Sequence, residues 1–399
     1  LGLVLLLAFT LSVMERYAQA ALPLAALAIV LIVEIPGTLR IRMLESAHDW
    51  KRFRLLIIGG TFLGLGAGLL IALMGGGVWA LIVQPPLLGL PAAVDLLFIQ
   101  RFRPDWSWSW ARWRETLRFG LDRIGSGLAS RGRILNEQVL LSSIYDLATL
   151  GIFTRATGLA TLLAGRIGSV VMTSLHPVVT RTERGSARFR RLADLVLRGV
   201  VWTTVPATAL LGIAASDTVA LLYGDRWSSV VELLPFAAIA IGLGGIITTL
   251  SNLLVANDDT RVALWFDVVA AISAVALAFL LIPHGASVFL AGLGIHGLVI
   301  AGMTIVSLIH RGALSTSGVL AALGPALVAC FAGTAAVLAS REIVGTSSYL
   351  VIRLFVDAGI FGLVYLAVLR LAFADSLAGL LDVAPGGTWM RRKLRLAIQ

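Results

Sequence analysis

Apolar runs about as long as a lipid bilayer is thick recur along nearly the whole chain, and they limit its fold more than any other feature. A helix rises ~1.5 Å per residue, so ~20 apolar residues cross the ~30 Å hydrocarbon core. Twelve such runs are read, at 1–14 (short of a full span), 21–39, 55–75, 77–99, 119–143, 148–173, 195–222, 230–254, 262–283, 286–309, 318–339 and 348–371. In hydrocarbon every backbone N–H and C=O must bond within the protein, which leaves helices or closed barrels. The alternating short strands of a barrel are not found. Composition agrees with the helical choice: 58% of residues are hydrophobic, 14% are charged, and mean hydropathy is +0.93. The chain is expected to be an all-α polytopic membrane protein with no soluble domain between its spans.

The net charge of +10 is concentrated in three connections. The first, 40–54, holds Arg40, Arg42, Lys51, Arg52 and Arg54; the second, 100–118, holds Arg101, Arg103, Arg112, Arg114 and Arg118; the third, 174–194, holds Arg181, Arg184, Arg188, Arg190 and Arg191. All three follow even-numbered spans and so share one side of the membrane with the tail, which carries Arg391, Arg392, Lys393 and Arg395. The opposite loops carry little beyond Arg16, Arg226 and Arg341. The positive-inside rule makes the basic side cytoplasmic and places the C-terminus there. A nucleic-acid partner is not expected, because no basic soluble domain is present. In the second connection Trp106, Trp108, Trp110 and Trp113 interleave with arginines after Pro104. Indoles rest at the headgroup level, so this segment reads as an interfacial linker along the inner leaflet.

Other chemistries find little support. The single Cys330 lies in an apolar run, the five histidines show no metal-ligand spacing, and no phosphate-binding GxxxxGK[ST] loop occurs. No cofactor, metal or catalytic residue is expected, and the chain reads as a non-enzyme. Leu1 begins inside an apolar run without a basic n-region, which points to a missing N-terminal segment rather than a signal peptide.

One span breaks the apolar rule. Residues 119–143 carry Asp122, Arg123, Arg131, Arg133 and Glu137. A charge at the bilayer centre costs roughly 2.5–3.5 kcal/mol even on the lenient insertion scale, so these groups must face something other than lipid. Asp122, Ser126, Ser130, Arg133, Asn136 and Glu137 fall within an arc of roughly 130°, opposite Leu121, Ile124, Leu128 and Leu135. Arg131 points elsewhere. A polar stripe of this kind suits one wall of a hydrated cavity. In the next span Arg155 and Arg166 stand almost three turns apart and share a face. Arginine is suited to bidentate phosphate contact, so the surplus of cations reads as an anion-accepting surface. The alternative is a structural ion-pair network, with Arg133 bonded to Glu137 at i,i+4 and Asp122 to Arg123 or Arg131. Elsewhere Arg353 and Asp357 have the spacing of an intrahelical pair, Asp267 lies a turn or so into its span, and Glu34 precedes Pro36 near a kink or span end. The glycines of 242–245 and 292–297 permit close helix packing, and His296 among them reads as a packed polar residue rather than a proton relay.

Five short motifs carry a family resemblance: GVWALIVQ at 77–84, RFGL at 118–121, LGIFTRATGLA at 150–160, SLHPVVTR at 174–181 and YGDRW at 223–227. In order and spacing the chain resembles the Wzx-type polysaccharide flippases, the lipopolysaccharide-biosynthesis branch of the multidrug/oligosaccharidyl-lipid/polysaccharide (MOP) exporter superfamily. The resemblance implies a MATE/MOP-like transporter fold with a fourteen-helix pattern: two pseudo-symmetric six-helix bundles, then two further helices. The twelve spans match the third through fourteenth, so the first two helices are expected to be missing. Residues 1–100 then form a truncated N-terminal bundle and 101–118 the linker. Residues 119–310 form the second bundle, 311–373 two added helices and 374–399 a basic tail.

The implied activity is alternating-access movement of an undecaprenyl-pyrophosphate-linked oligosaccharide, with the diphosphate held in a cavity between the bundles. Arg123, Arg133, Arg155, Arg166 and Asn136 are the expected substrate-binding residues. Arg155 aligns with a position that is often basic in this branch, whereas Arg166 rests on its helical face alone. Asp122, Glu137 and Asp267 are candidates for ion coupling or pairing. The implied partners are the lipid-linked oligosaccharide, membrane lipid, and a polysaccharide polymerase with glycosyltransferases. The competing readings are a cation-coupled multidrug exporter, a lipid II flippase, and a membrane-embedded glycosyltransferase or polymerase. The cationic surplus argues against the first and the short outer loops against the last.

Overall fold

The computed structural model of the protein describes residues 18–47, 49–100, 102, 109–165, 182–343 and 350–381. Every regular element among them is a helix, and nine of these helices are long and apolar enough to cross a membrane. The run at 1–14, the motif at 174–181 and the basic residues of the tail, beyond 381, lie outside the described residues. The chain divides into two compact units between Ser109 and Trp110.

The first unit comprises α1 (Ala18–Ser46), α2 (Trp50–Leu73) and α3 (Trp79–Val94), the last continuing as a π-helical turn over Asp95–Ile99. Gly60, Gly64 and Gly68 repeat every four residues on α2 and are buried. A Cβ on them would lie 2.1 Å from the Leu88 carbonyl oxygen, 2.9 Å from that of Gln84 and 3.0 Å from that of Ala80. Only residues without a side chain let the two backbones approach so closely. The turn between these helices uses Gly75 (φ 79°) and Gly77 (φ 50°), a backbone region costly for other residues.

Glu34 and Pro36 do not end α1, which continues to Ser46. That extension, and the start of α2 at Trp50, change the place of two arginines. The sequence reading puts Arg40 and Arg52 in a basic connection, but both lie on helices and both turn onto Asp95. Arg40 donates its Nε–H to Asp95 Oδ2, and Arg52 donates from Nη2 at 2.6 Å and Nε at 3.0 Å to Asp95 Oδ1. Arg40 and Asp95 are buried.

The second unit comprises α4 (Trp110–Ile144), α5 (Leu147–Ala160, continuing as a π-helical turn Thr161–Gly165), α6 (Ala187–Ile213), α7 (Ala215–Tyr223), α8 (Ser229–Ala256), α9 (Thr260–Leu281), α10 (Ala286–His310), α11 (Thr316–Ile343), α12 (Leu350–Ala372) and α13 (Ala374–Leu381). Helix α4 has 35 residues, ~52 Å at the usual rise. From Trp110 onward the Trp/Arg segment is therefore continuous with the charged span. Trp110 and Trp113 stack with centroids 4.9 Å apart, while Trp106 and Trp108 lie outside the described residues. The run at 195–222 divides at Ala214 into α6 and α7.

Helix α8 is the hub, packed on α5, α6 and α10; α11 packs on α6 and α12, and α9 on α4. One buried cluster joins α6, α8 and α11 through Leu197, Val200, Leu250, Leu253 and Ala326. A second joins α5, α8 and α10 through Phe153, Leu159, Leu234 and Phe289. Outward positions such as Trp265, Ile272, Phe331 and Leu363 stay exposed and apolar, as suits a lipid solvent. The glycine runs act as expected in part. A Cβ on Gly242 would meet Thr208 Oγ1 of α6 at 2.5 Å, and one on Gly294 or Gly297 would meet Ile239 or Leu243 of α8 at 3.2 Å, but Gly244 and Gly245 face open space.

At the end of the unit reached by Ile213 and Ile343, two arginines and two aspartates form a half-buried quartet. Arg353 of α12 donates to Asp217 of α7, with Nε at 2.7 Å. Arg341 of α11 donates to Asp357 of α12 from Nη2 at 2.6 Å and Nε at 3.1 Å, and its Nη2 stands 3.7 Å from Asp217. This corrects the expected Arg353–Asp357 pair. The i,i+4 spacing brings the two residues to one helix face, but each finds a better-placed partner on a neighbouring helix.

Candidate functional site

The candidate site is built on α4 and α5, which turn back on each other at Tyr145–Asp146. Asp146 caps α5 by accepting the Thr149 amide at 2.7 Å, and this bond holds its carboxyl below the ordinary aspartate value. Tyr145 donates its hydroxyl to the Ile282 carbonyl at 2.7 Å, tying the turn to the α9–α10 connection.

On α4 part of the expected polar stripe, Ser126, Arg133, Asn136 and Glu137, turns away from the exposed side, whereas Ser130 is exposed. Leu121, Ile124, Leu128 and Leu135 are exposed, while Arg133 and Asn136 are half-buried and Glu137 is buried. Arg133 donates from Nη1 to Glu137 Oε1, one turn along the same helix. The Asn136 side-chain nitrogen is buried with no hydrogen-bond partner. Two neighbouring helices bring further polar groups here. His296 of α10 stands 2.7 Å from Ser273 Oγ of α9, and Arg133 lies within electrostatic reach of the imidazole. His296 is thus joined to a polar layer rather than packed alone. Asp267 of α9 accepts from Ser251 of α8 at 3.4 Å, a long contact.

Arg155 is different. Helix α5 packs inward through Phe153, Ala156, Leu159 and Ala160, all buried. Its other face carries Gly151, Arg155 and Gly158 at i, i+4 and i+7; Arg155 is exposed, and a Cβ on either glycine would meet nothing within 4 Å. No carboxylate among the described residues lies within ion-pair distance of Arg155. Its guanidinium carbon instead lies 5.8 Å from the Tyr223 ring centroid and 5.6 Å from that of Trp227. The two rings are 6.0 Å apart and tilted by 52°. The LGIFTRATGLA and YGDRW motifs, 150–160 and 223–227, therefore meet through one arginine and two aromatic faces.

Of the expected site residues, the structure bonds Arg133 to Glu137, with Asn136 beside them on the same helix, and gives Arg155 different partners. Along their helices Arg133 is about 18 Å and Arg155 about 14 Å from the shared turn. The side chains of Asp122 and Arg123, and all of Arg166, lie outside the described residues. Sequence reasoning did not single out Tyr223 and Trp227 as partners of Arg155, although both lie in a quoted motif at i,i+4. Nor did it single out Asp95, the lone carboxylate of its span. In the first unit a cavity of ≈ 450 Å³ is lined in part by Glu34, Thr38, Arg42, Glu45 and Phe53; Arg42 and Glu45 pair there at 2.8 Å. No group of three or more metal-ligating side chains occurs among the described residues.

Comparison with known proteins adds three findings. A family profile described as "Polysaccharide biosynthesis protein" matches residues 1–232. The chain is similar to the succinoglycan biosynthesis transport protein ExoT of Rhizobium meliloti (strain 1021), at 23% identity over 257 residues, covering 64% of this chain and 52% of that protein. The match thus spans about half the length of that curated relative. In fold the chain is similar to the lipid II flippase MurJ in its inward closed conformation, with a TM-score of 0.71 at 12% identity over 94% of this chain and 81% of that one. The architecture is that of a MOP-type transporter. The relatives found are a transport protein and a flippase, not enzymes.

Proposed function

The chain belongs to the polysaccharide biosynthesis protein family, and on that premise we propose that it is part of a flippase moving a polyprenyl-pyrophosphate-linked oligosaccharide across the bacterial cytoplasmic membrane. The observation that carries this reading is Arg155: a cation on an uncovered face of an apolar helix, with no carboxylate beside it among the described residues. Left against hydrocarbon it would cost roughly 2.5–3.5 kcal/mol. Water and an anionic cargo offset that cost, and a diphosphate is the anion that a lipid-linked glycan carries.

Arg133, Asn136, Arg123 and Arg166 extend the cationic path in this reading. Arg133 is held by Glu137, so it presents a neutralised pair until that bond opens. Asp122, Glu137 and Asp267 supply carboxylates that an ion or proton gradient can act on. The basic connections and the C-terminal tail face the cytoplasm, where glycosyltransferase partners deliver the glycan, and a polymerase receives it on the opposite side. Rocking of one helical bundle changes the open side.

In cells carrying the full-length protein, Arg155→Ala and Arg155→Glu are expected to lower surface polysaccharide by about tenfold or more, with lipid-linked precursor accumulating inside. Arg155→Lys should recover part of the export. Cationic-dye efflux should be unchanged in all three. A multidrug exporter would give the opposite pattern, with dye efflux altered and polysaccharide normal.

A further inference from the structure

We propose that Arg155, Tyr223 and Trp227 form a phosphate-binding subsite for the cargo's diphosphate, in which the two rings act as positioning residues. This rests on the flippase reading above and adds to it a defined place, two further residues and a reason for the YGDRW motif.

A guanidinium has five N–H donors in its plane and none on its faces. A carboxylate partner occupies those in-plane donors and cancels the charge, as at Arg133, Arg341 and Arg353. An aromatic partner takes the face and leaves both the donors and the charge in place. Arg155 lies within 6 Å of two ring centroids, 5.8 and 5.6 Å, so one cation is shared by two rings. Contact with rings rather than with a carboxylate leaves the charge of Arg155 uncancelled for phosphate oxygens.

The backbone between the rings explains how they come to one side. Tyr223 ends α7, and Gly224 follows at φ 78°, where a side chain is strained. The 3-10 turn Asp225–Trp227 then closes, with Trp227 N–H donating to the Gly224 carbonyl at 3.1 Å. Both rings are half-buried against the cluster formed by α5, α8 and α10, which fixes them. Gly151 and Gly158 leave open space on either side of Arg155 along α5. The charge selects an anion, and the aromatic surroundings suit a phosphate attached to a sugar or prenyl chain better than a free, fully hydrated one.

The test uses full-length protein in detergent and radiolabelled farnesyl pyrophosphate as the probe, with bound probe measured by equilibrium dialysis in every variant. Arg155→Ala is expected to weaken binding by about tenfold. The double variant Tyr223→Leu/Trp227→Leu should weaken it several-fold, whereas Arg155→Lys should be intermediate and Trp227→Phe close to wild type. Dioleoylphosphatidylglycerol should not compete. Wild-type binding by the double leucine variant, eluting as a single species, would overturn the positioning role. Equal competition by phosphatidylglycerol would make the site a lipid-headgroup anchor and overturn the proposal. Polysaccharide export separates the two levels. Full export in the double leucine variant with loss in Arg155→Ala sinks the aromatic subsite alone, whereas normal export in Arg155→Ala sinks the flippase reading itself.

Discussion

Replacing Asp95 with alanine is expected to destabilise the first unit by about 3–5 kcal/mol. Two cations converge on this one carboxylate, and the side chains of Arg40 and Asp95 are only 7% and 3% exposed. The alanine leaves Arg40 charged, desolvated and without its carboxylate, which is the costly way to break a buried pair. Arg52, 36% exposed at its side chain, can turn to water and adds little. The loss should appear as a lower melting temperature of the purified protein and as faster hydrogen exchange in α1–α3. Replacing both buried partners, as in Arg40→Met/Asp95→Leu, removes the charges together and should recover most of the stability. If the double variant is as unstable as Asp95→Ala, the packing of α1 on α3 fails for some other reason than the unpaired charge.

The second large effect is expected in the quartet. Asp217 and Asp357 are 3% and 2% exposed and serve Arg353 and Arg341 across three helices. Removing either carboxylate should cost about 3–5 kcal/mol and loosen α12 from α7 or α11. The pattern of coupling tests the geometry more sharply than the size of the loss. Double-mutant cycles should give interaction energies of about 1–3 kcal/mol for Asp217 with Arg353 and for Arg341 with Asp357. The cycle for Arg353 with Asp357 should be the smallest of the three. A dominant Arg353–Asp357 coupling would restore the intrahelical pair and contradict the arrangement described above.

The quartet also shows what a sequence can and cannot display. The run lengths revealed the spans, because hydrocarbon thickness is a one-dimensional constraint. The 100° period revealed which side of α4 is apolar, because that depends on one helix alone. Partners between helices leave no such trace: Asp217 and Arg353 are 136 residues apart, and the nearer Asp357 has the right spacing but the wrong neighbour. Arg40 reads as a loop charge because α1 outlasts its apolar run, and Arg52 because α2 begins at Trp50, ahead of its own run; hydropathy signals neither. The break at Ala214 is hidden because the residues on both sides are apolar. Arg155 was visible as a charge in a span, and YGDRW as a motif. That one meets the other is a property of how α5 packs on the α7–α8 connection.

This difference bears on how the two arginine sites are weighed. Arg133 has the spacing that draws attention, yet it lies against Glu137. Arg155 has no carboxylate within reach among the described residues, so its charge is available to a ligand. Under the proposed function the phosphate contact therefore falls at Arg155, and Arg133 has a conditional part.

The central claim is that an anion passes Arg155 during transport. It is tested most directly by reconstituting the full-length protein in vesicles and following a fluorescent, short-chain prenyl-pyrophosphate-linked sugar from one leaflet to the other. Arg155→Glu should slow its transfer by about a hundredfold, and Arg155→Lys should stay within about tenfold of wild type. Transfer by Arg155→Glu at the wild-type rate would contradict the claim.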